Sequence, residues 1–133
     1  MRPYDYAKRM ITECHTGTPL KEMANVFNEE NIGSVLVKSD NGAFAGMLTD
    51  KVIYDSIANG IELSNKKVGD LKLEPIIWAD KDEEIEVLTE KFKKSPSGRV
   101  VMTDMQGKPV GILKRKNIER FSMFKQAERM IRR

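Results

Sequence analysis

The apolar positions of this chain change their spacing in a fixed order, and that order occurs twice. Residues 34–38 and 43–48 are short apolar runs typical of strands, and Asn41-Gly42 between them is a signal for a hairpin turn. The segment before them has apolar side chains at the three- and four-residue spacing of a helix, namely Leu20, Met23, Ala24 and Phe27. The first half of the chain therefore predicts a helix followed by a strand hairpin.

The second half repeats this pattern with different side chains. A second hairpin is predicted to join residues 100–103 to residues 109–113 through a turn at Gln106-Gly107. Short apolar segments at 11–14 and 76–79 are the strand candidates that open the two halves. The stripe of the second-half helix is Ile85, Leu88 and Phe92. Each half thus begins with a strand, a helix and a strand hairpin.

Signals for helix starts occur in both halves. Thr18-Pro19 predicts an N-cap followed by a first-turn proline, and Asp82-Glu83-Glu84 places negative charge at the positive end of the matching helix. Thr49-Asp50 predicts the cap of a second helix in the first half. Its counterpart begins at Lys114 and extends to about residue 130. The predicted unit is strand, helix, strand, strand, helix.

A shift of 65 residues superposes the two halves without a gap, and glycines fall on glycines at the predicted turns. The identical pairs are Asp5/Asp70, Ile11/Ile76, Phe27/Phe92, Gly33/Gly98, Val35/Val100, Gly42/Gly107, Gly46/Gly111, Leu48/Leu113, Lys51/Lys116 and Ile53/Ile118. We therefore predict a tandem duplication, since internal repeats of this kind reflect architecture. One copy cannot cover both faces of its sheet, so we expect an α/β (α+β) fold of two βαββα motifs related by a pseudo-twofold and packed into one module.

Composition limits the class of protein. The 133 residues suffice for one compact module, and the single cysteine excludes an internal disulfide. No apolar run approaches the roughly 20 residues that a membrane-spanning helix needs, and the N-terminus has no apolar core of the signal-peptide type. We therefore expect a soluble, cytoplasmic protein that does not interact with a membrane.

Positive charge is concentrated at the C-terminus. The net charge of +3 is too small to indicate a nucleic-acid partner, but residues 108–133 contain 9 basic and 2 acidic side chains. The last predicted helix has an apolar stripe of Ile118, Phe121, Phe124, Ala127 and Ile131. Its interleaved basic residues are Arg120, Lys125, Arg129, Arg132 and Arg133. This stripe either packs on the module or its dimer mate, or docks an acidic protein or a nucleic acid.

The doubled order of several short motifs resembles a tandem pair of CBS (cystathionine-beta-synthase) domains, also called a Bateman module. The second copy carries Val68-Gly69-Asp70-Leu71, Pro75-Ile76-Ile77, Gly98-Arg99-Val100-Val101 and Gly111-Ile112-Leu113. The first copy carries Tyr4-Asp5-Tyr6, Thr18-Pro19-Leu20, Ile32-Gly33-Ser34-Val35 and Gly46-Met47-Leu48-Thr49. On this basis we expect a first CBS motif at residues 1–60, a linker at 61–67, a second motif at 68–124 and a basic helical extension at 125–133.

The resemblance implies a regulatory module that forms flat homodimers, binds adenosine compounds and acts on an unknown regulated protein. In the family pattern a Ser or Thr hydroxyl near the end of each motif faces phosphate, and an Asp three residues later accepts hydrogen bonds from the ribose. This chain keeps the hydroxyl at Thr49 but has Val52 in place of the Asp. In the second copy Lys114 replaces the hydroxyl and Asn117 replaces the Asp. Lys114 can still meet a phosphate as a point charge, and Asn117 offers one acceptor and two donors.

The clefts implied by the family combine the closing motif of one copy with the early strands of the other. The favoured binding cleft would contain Ala7, Thr12, Ile32, Gly33, Ser34, Lys114 and Asn117. A weaker cleft would contain Thr49, Val52, Lys72, Ile77, Gly98 and Arg99. The expected ligands are AMP, ADP, ATP or S-adenosylmethionine, with no cofactor required. Three cations at 114–116 lie unfavourably at the positive end of a helix, and a bound anion would relieve this conflict.

Other chemically suggestive residues favour structural interpretations. Adjacent strand residues point to opposite faces, so Cys14 and His15 cannot readily share one metal ion. The acidic residues of 82–86 are explained by a helix start, and Trp78 by a place in the core or a dimer surface rather than by base stacking. We predict no metal site and no catalytic residues, since no nucleophile–base pair and no phosphate loop occurs.

The sequence therefore predicts a regulatory CBS pair that binds an adenosine-containing ligand, not an enzyme. The alternative is a ligand-free dimeric scaffold or a nucleic-acid-associated protein that acts through its basic C-terminal helix.

Overall fold

The computed structural model describes residues 2–131, which divide into two compact units. Of the described residues, unit 1 combines 2–11 with 76–131, and unit 2 is Thr12–Pro75. The segment that precedes each copy thus packs with the other copy. The boundaries drawn above at 60, 67 and 124 concern the duplication in the sequence and stay a prediction.

Unit 2 contains one three-stranded sheet with two helices. Its elements are β1 (Glu13–His15), α1 (Leu20–Glu30), β2 (Ser34–Lys38), β3 (Phe44–Thr49) and α2 (Asp50–Ala58). The sheet has the order β1-β2-β3, in which β1 and β2 are parallel and β2 and β3 form an antiparallel hairpin. A short 3-10 helix at Val68–Asp70 follows.

Unit 1 has the same organisation. A 3-10 helix at Pro3–Tyr6 is followed by β4 (Trp78–Asp80), α3 (Ile85–Phe92), β5 (Arg99–Thr103), β6 (Pro109–Lys114) and α4 (Arg115–Ile131). The pairing of the strands repeats with the 65-residue shift: Glu13 lies opposite Leu36, as Trp78 lies opposite Val101. The hairpin irregularity also repeats, at 37/38 and at 102/103. The prediction of two βαββα motifs in a mixed α and β fold is confirmed.

Each unit has its own apolar core, in which the predicted stripes and strands meet. The buried residues of the unit 2 core are Cys14, Leu20, Met23, Val35, Val37, Leu48, Val52, Val68 and Leu71. Those of the unit 1 core are Ala79, Leu88, Phe92, Val100, Met102, Leu113 and Ile118. Members of the two lists correspond in pairs, such as Val35 with Val100 and Leu48 with Leu113, so the duplication extends to the packing.

Gly46 and Gly111 are needed because another segment crosses the hairpin at that point. A Cβ atom on Gly46 would lie 2.9 Å from the Cβ of Leu73 and 3.0 Å from the carbonyl oxygen of Glu74. A Cβ on Gly111 would lie 3.0 Å from a ring carbon of Tyr4 and 3.1 Å from the Cβ of Ala7. In both units the crossing segment is the one that precedes the other copy in the sequence: Leu73 and Glu74 cross at Gly46, and Tyr4 and Ala7 cross at Gly111.

Backbone hydrogen bonds fix these crossing segments. Lys8 and Ile112 exchange two bonds, of 2.9 and 2.8 Å, and Glu74 and Met47 exchange two bonds, of 2.8 and 3.0 Å. Each bridge extends a hairpin by one short antiparallel contact. The first residues of the chain are thereby part of the unit that contains the second copy.

Four predicted element starts were wrong by a few residues. The strands predicted at 11–14 and 76–79 begin at Glu13 and Trp78, because their limits are set by pairing with the next strand. Helix α1 begins at Leu20 with Pro19 at the N-cap, and the Thr18 hydroxyl accepts from the His15 N–H at 3.1 Å instead of capping the helix. The acidic start of α3 is shorter than expected, since the helix begins after Glu84.

Helix α4 is buried only near its beginning. Ile118 and Phe121 belong to the buried residues, whereas Phe124 is 42% exposed and Ile131 is 84% exposed. The predicted apolar stripe therefore packs on unit 1 over its first two turns only. Arg132 and Arg133 lie outside the described residues. Within residues 2–131, no helix combines the length and apolar character needed to cross a membrane.

Candidate functional site

The predicted motif residues gather where each hairpin ends and the next helix begins. Ser34 lies opposite Thr49 in unit 2, and Arg99 lies opposite Lys114 in unit 1. We call these regions the unit 2 end (Gly33, Ser34, Thr49–Val52) and the unit 1 end (Gly98, Arg99, Lys114–Asn117). A backbone bond joins the strands to the helix in each: the N–H of residue 50 donates to Gly33 at 3.0 Å, and that of residue 115 donates to Gly98 at 2.9 Å.

The Thr49 hydroxyl both accepts and donates a hydrogen bond within unit 2. It accepts from the backbone N–H of Val52 at 3.1 Å, which confirms its predicted role as the N-cap of α2. It also donates to the Glu74 carboxylate, with an Oγ1–Oε2 distance of 3.3 Å. Thr49 is fully buried, and Glu74 is 5% exposed. Because a hydroxyl has a single proton to donate, the Thr49 proton is already used within unit 2.

Glu74 is the functional candidate that sequence reasoning missed. In the segment Leu71-Lys72-Leu73-Glu74 apolar and polar residues alternate, a pattern that places Glu74 toward solvent. The structure buries it instead, because its backbone pairs with Met47 and its side chain contacts Thr49. Both contacts are distant in sequence, and no local signal indicates them.

The unit 1 end is capped in the opposite direction. The Asn117 side-chain oxygen accepts from the backbone N–H of Lys114 at 2.9 Å, so a residue in the first turn of α4 satisfies the group that precedes the helix. This bond uses one lone pair of the oxygen that sequence analysis assigned to ribose. The amide nitrogen still has two protons to donate.

Positive charge dominates the unit 1 end. Arg99 is 8% exposed and lies directly across the hairpin from the half-buried Lys114. Arg115 and Lys116 follow, and the first turn of α4 contains no acidic residue. The Arg115 guanidinium donates to the carbonyl of Phe92 at 3.0 Å, which caps the end of α3. The cations that the family resemblance assigned to different clefts are therefore neighbours on adjacent strands of one sheet.

The remaining predicted cleft residues lie in their own units as follows. The carbonyl of Thr12 accepts from Leu36 at 3.0 Å, and the N–H of Ile32 donates to Phe27 at 3.2 Å. The carbonyl of Ile77 accepts from Val101 at 2.8 Å, and Lys72 is exposed. The favoured set draws Ala7, Lys114 and Asn117 from unit 1 and Thr12, Ile32, Gly33 and Ser34 from unit 2. Grouping these residues into clefts stays a prediction.

Cys14 and His15 point to opposite sides of β1, as predicted. Cys14 is buried and His15 is exposed. Burial, with a smaller contribution from the negative charge of Glu22, raises the pKa of the Cys14 thiol to about 11. Since the thiolate is the nucleophile and the metal ligand, this thiol is unsuited to either role at neutral pH. Among residues 2–131, no cluster of three or more His, Cys, Asp or Glu side chains could hold a metal ion.

The acidic segment before α3 forms ion pairs within unit 1. Asp82 pairs with Arg2, and Glu83 lies 3.5 Å from the Lys91 ammonium. This segment is one wall of an open groove of about 680 Å³, whose other wall is α4. The α4 residues that line the groove are Phe121, Ser122, Lys125, Gln126 and Arg129. The groove contains both signs of charge.

Comparison with known proteins identifies the repeated motif. The model of the family described as CBS domain matches twice, at residues 5–59 and 68–123. A search among curated proteins found no match. Many solved structures are similar, including a conserved CBS domain protein of unknown function from Thermoplasma acidophilum, with 20% identity and a TM-score of 0.77 over 91% of this chain and 68% of that chain.

Two further structures contain bound nucleosides or nucleotides. The CBS domain pair of MJ0100, in complex with 5′-methylthioadenosine and S-adenosyl-L-methionine, is 21% identical and has a TM-score of 0.72 over 91% of this chain and 98% of that one. A CBS domain protein from Pyrobaculum aerophilum complexed with AMP is 16% identical and has a TM-score of 0.70, covering 88% and 89% of the two chains. At these identities the likeness shows the fold. With the two family matches, it establishes that this chain belongs to the CBS domain family and carries two CBS domains in tandem.

Proposed function

We propose that this protein is a regulatory CBS pair that binds an adenosine-containing ligand, AMP, ADP, ATP or S-adenosylmethionine, and signals its occupancy to a partner protein. The observation that carries the proposal is the pair of cations at the unit 1 end, where Arg99 and Lys114 face each other across β5 and β6. The AMP and S-adenosyl-L-methionine complexes of similar CBS structures support the class of ligand.

The charge at the unit 1 end favours an anion. Like charges directly opposite each other on neighbouring strands destabilise a sheet. Cations at the start of a helix are also unfavourable, because the helix dipole is positive there. Lys114, Arg115 and Lys116 occupy that position in α4. A phosphate bound at this end would have these cations beside it, and the backbone N–H groups of a helix start are suited to receive it.

Asn117 is suited to contact the ribose in a different manner from the family's Asp. Its oxygen already accepts from Lys114, which fixes the position of the amide group. The amide nitrogen can then donate to a ribose oxygen, whereas an Asp carboxylate would accept from the ribose hydroxyls. We therefore expect weaker selection for the ribose than in a chain with Asp at this position.

Thermal unfolding and calorimetry with AMP, ADP, ATP, S-adenosylmethionine and adenosine test this proposal. Binding raises the unfolding temperature, because a ligand that binds only the folded state stabilises it. We expect a shift with at least one nucleotide, a smaller shift with adenosine, and loss of the nucleotide effect in Lys114→Ala. Lys108→Ala removes the same charge from the exposed hairpin turn and is the matched control. No binding at millimolar concentrations of any of the five compounds would contradict the proposal.

A second candidate function rests on the exposed part of α4. Beyond Phe121 the helix presents apolar side chains together with Lys125 and Arg129. This surface fits a ligand-free dimeric scaffold or a nucleic-acid-associated protein. Salt-sensitive retention on DNA or RNA that is lost when residues 125–133 are deleted would favour this function over nucleotide sensing.

A further inference from the structure

We propose that Glu74 closes the unit 2 end to anions, so that one chain binds the phosphate of a single nucleotide, at the unit 1 end. This inference rests on the function proposed above and adds the stoichiometry and the residue that determines it. It depends on the contact between the Glu74 carboxylate and the Thr49 hydroxyl, at 3.3 Å.

Hydrogen-bonding capacity supports exclusion of an anion at Thr49. A phosphate oxygen needs donors, and the only donor of the Thr49 side chain is its hydroxyl proton, which goes to Glu74. The hydroxyl oxygen in turn accepts from Val52 in capping α2. Releasing the proton for a ligand would therefore break a hydrogen bond between two buried side chains.

Electrostatic repulsion acts in the same direction. A phosphate placed beside Thr49 would lie close to the carboxylate of Glu74, and both groups are negative. Repulsion between charges at such a separation is strong where the surroundings exclude water. Glu74 thus takes the position of an anionic ligand. The start of α2 favours a nearby negative charge because the helix dipole is positive there, and the carboxylate of Glu74 supplies it.

Glu74 is also held in place by its backbone. Its N–H and C=O both bond to Met47, and its carbonyl oxygen lies 3.0 Å from where a Cβ on Gly46 would be. The peptide group cannot withdraw from β3 without losing these two bonds. Opening the unit 2 end would therefore require a change of the side chain rather than a movement of the segment.

The corresponding backbone bridge in unit 1 has the opposite charge. There the residue that exchanges two bonds with the second strand of the hairpin is Lys8, which pairs with Ile112. At the paired strand positions, Ser34 and Thr49 of unit 2 correspond to Arg99 and Lys114 of unit 1. The two ends have thus diverged: the unit 1 end favours an anionic ligand, and the unit 2 end is occupied by the carboxylate of Glu74.

The test measures the stoichiometry of AMP binding by calorimetry, with inorganic phosphate as a second probe. We expect one equivalent of AMP for the wild-type chain and a second, weaker equivalent for Glu74→Gln, because the amide keeps the size of the side chain but removes the charge. Glu62→Gln is the matched control, since it removes an exposed charge in the same unit. It should retain one equivalent.

A double variant separates this inference from the proposed function. Lys114→Ala should lose the wild-type equivalent, and Glu74→Gln combined with Lys114→Ala should bind AMP at least about tenfold more tightly than Lys114→Ala alone. A gain of binding on neutralising Glu74 supports the inference even if the wild-type chain binds nothing, a result that would contradict the proposed function.

The inference is overturned if Glu74→Gln binds no more AMP or phosphate than the wild type. It is also overturned if the wild type binds two equivalents, one of which survives Lys114→Ala. Circular dichroism must show that Glu74→Gln is folded. Glu74→Met, a neutral side chain of similar length, is the second variant on which the same comparison is made if the Gln variant unfolds.

Discussion

The unit 1 end and the unit 2 end share a backbone and differ in how the following helix is capped. In unit 2 the hydroxyl of Thr49 accepts from the backbone N–H of Val52, three residues ahead. In unit 1 the side chain of Asn117 accepts from the backbone N–H of Lys114, three residues behind. These are the two halves of a capping box, and each copy has kept one of them.

The difference shows how a duplicated site can change its chemistry without changing its fold. A reversed cap frees residue 114 from the need for a hydroxyl, so that a lysine can occupy the position. In the other copy the hydroxyl of Thr49 is retained, and it donates its proton to the carboxylate of Glu74. The strand pairing and the backbone bond from the helix to the preceding glycine are the same in both.

The largest expected difference between the units lies at their paired glycines. Gly46→Ala places a methyl group 2.9 Å from the Cβ of Leu73 and 3.0 Å from a backbone oxygen. Neither atom can move without a shift of the backbone, because neither lies at the end of a flexible side chain. Gly111→Ala meets a ring carbon of Tyr4 and the Cβ of Ala7, at slightly longer distances. We expect a loss of about 3 kcal/mol in the free energy of unfolding for Gly46→Ala and about 1.5 kcal/mol for Gly111→Ala.

Urea denaturation followed by circular dichroism measures both values. Gly42→Ala is the control for backbone conformation, because Gly42 has a positive φ of 84° but no neighbour within 4 Å of its added Cβ. If Gly111→Ala is as destabilising as Gly46→Ala, the crossing segments of the two units are equally rigid, and the expected difference between the units is contradicted.

The reversed caps give the next largest effect. Thr49→Ala removes the N-cap of α2 and leaves the buried carboxylate of Glu74 without this donor, so we expect a loss of about 2 kcal/mol. Asn117→Ala removes only the bond to Lys114 and should cost about 1 kcal/mol. Thermal or urea unfolding measures both, with Thr49→Ser as the control that keeps the hydroxyl.

Equal losses for the two alanine variants would show that Glu74 adds nothing to the Thr49 cap. A loss in Thr49→Ser as large as that in Thr49→Ala would show instead that the methyl group, rather than the hydroxyl, is the stabilising part of the side chain.

The elements that the sequence predicted well are those whose signals are local. The hairpins and α1 follow from apolar spacing within a few residues. The cap at Thr49 follows from the residue types of Thr49-Asp50, and the structure places its partner only three residues away. The limits of β1 were less accurate, since β1 is defined by its pairing with β2.

The features that the sequence did not predict depend on contacts between distant segments. Glu74 is buried against β3, although alternation in its own segment indicates exposure. Lys8 pairs with Ile112, more than 100 residues away, and no pattern in the residues themselves indicates this pairing. Only the family resemblance, which groups Ala7 with Lys114 and Asn117, relates the first residues of the chain to the second copy. The cap by Asn117 is a different case, because it is local and could have been predicted from a polar residue three positions after the end of a strand.

The smallest expected effect concerns Cys14, whose counterpart at the same position of unit 1 is Ala79. Both residues are buried in the cores of their units. Cys14→Ala makes the two positions identical and should cost about 1 kcal/mol, the value for a small cavity.

Burial raises the pKa of the Cys14 thiol to about 11 from an ordinary value of 9.0, so the folded state holds its proton where the unfolded state loses it. The stabilisation from this difference is complete below about pH 9 and is lost as the pH rises toward 11. Stability measured against pH should therefore fall more steeply between these values in the wild type than in Cys14→Ala. Parallel curves for the two proteins would mean that the thiol titrates alike in the folded and unfolded chains, and that the two core positions differ only in volume.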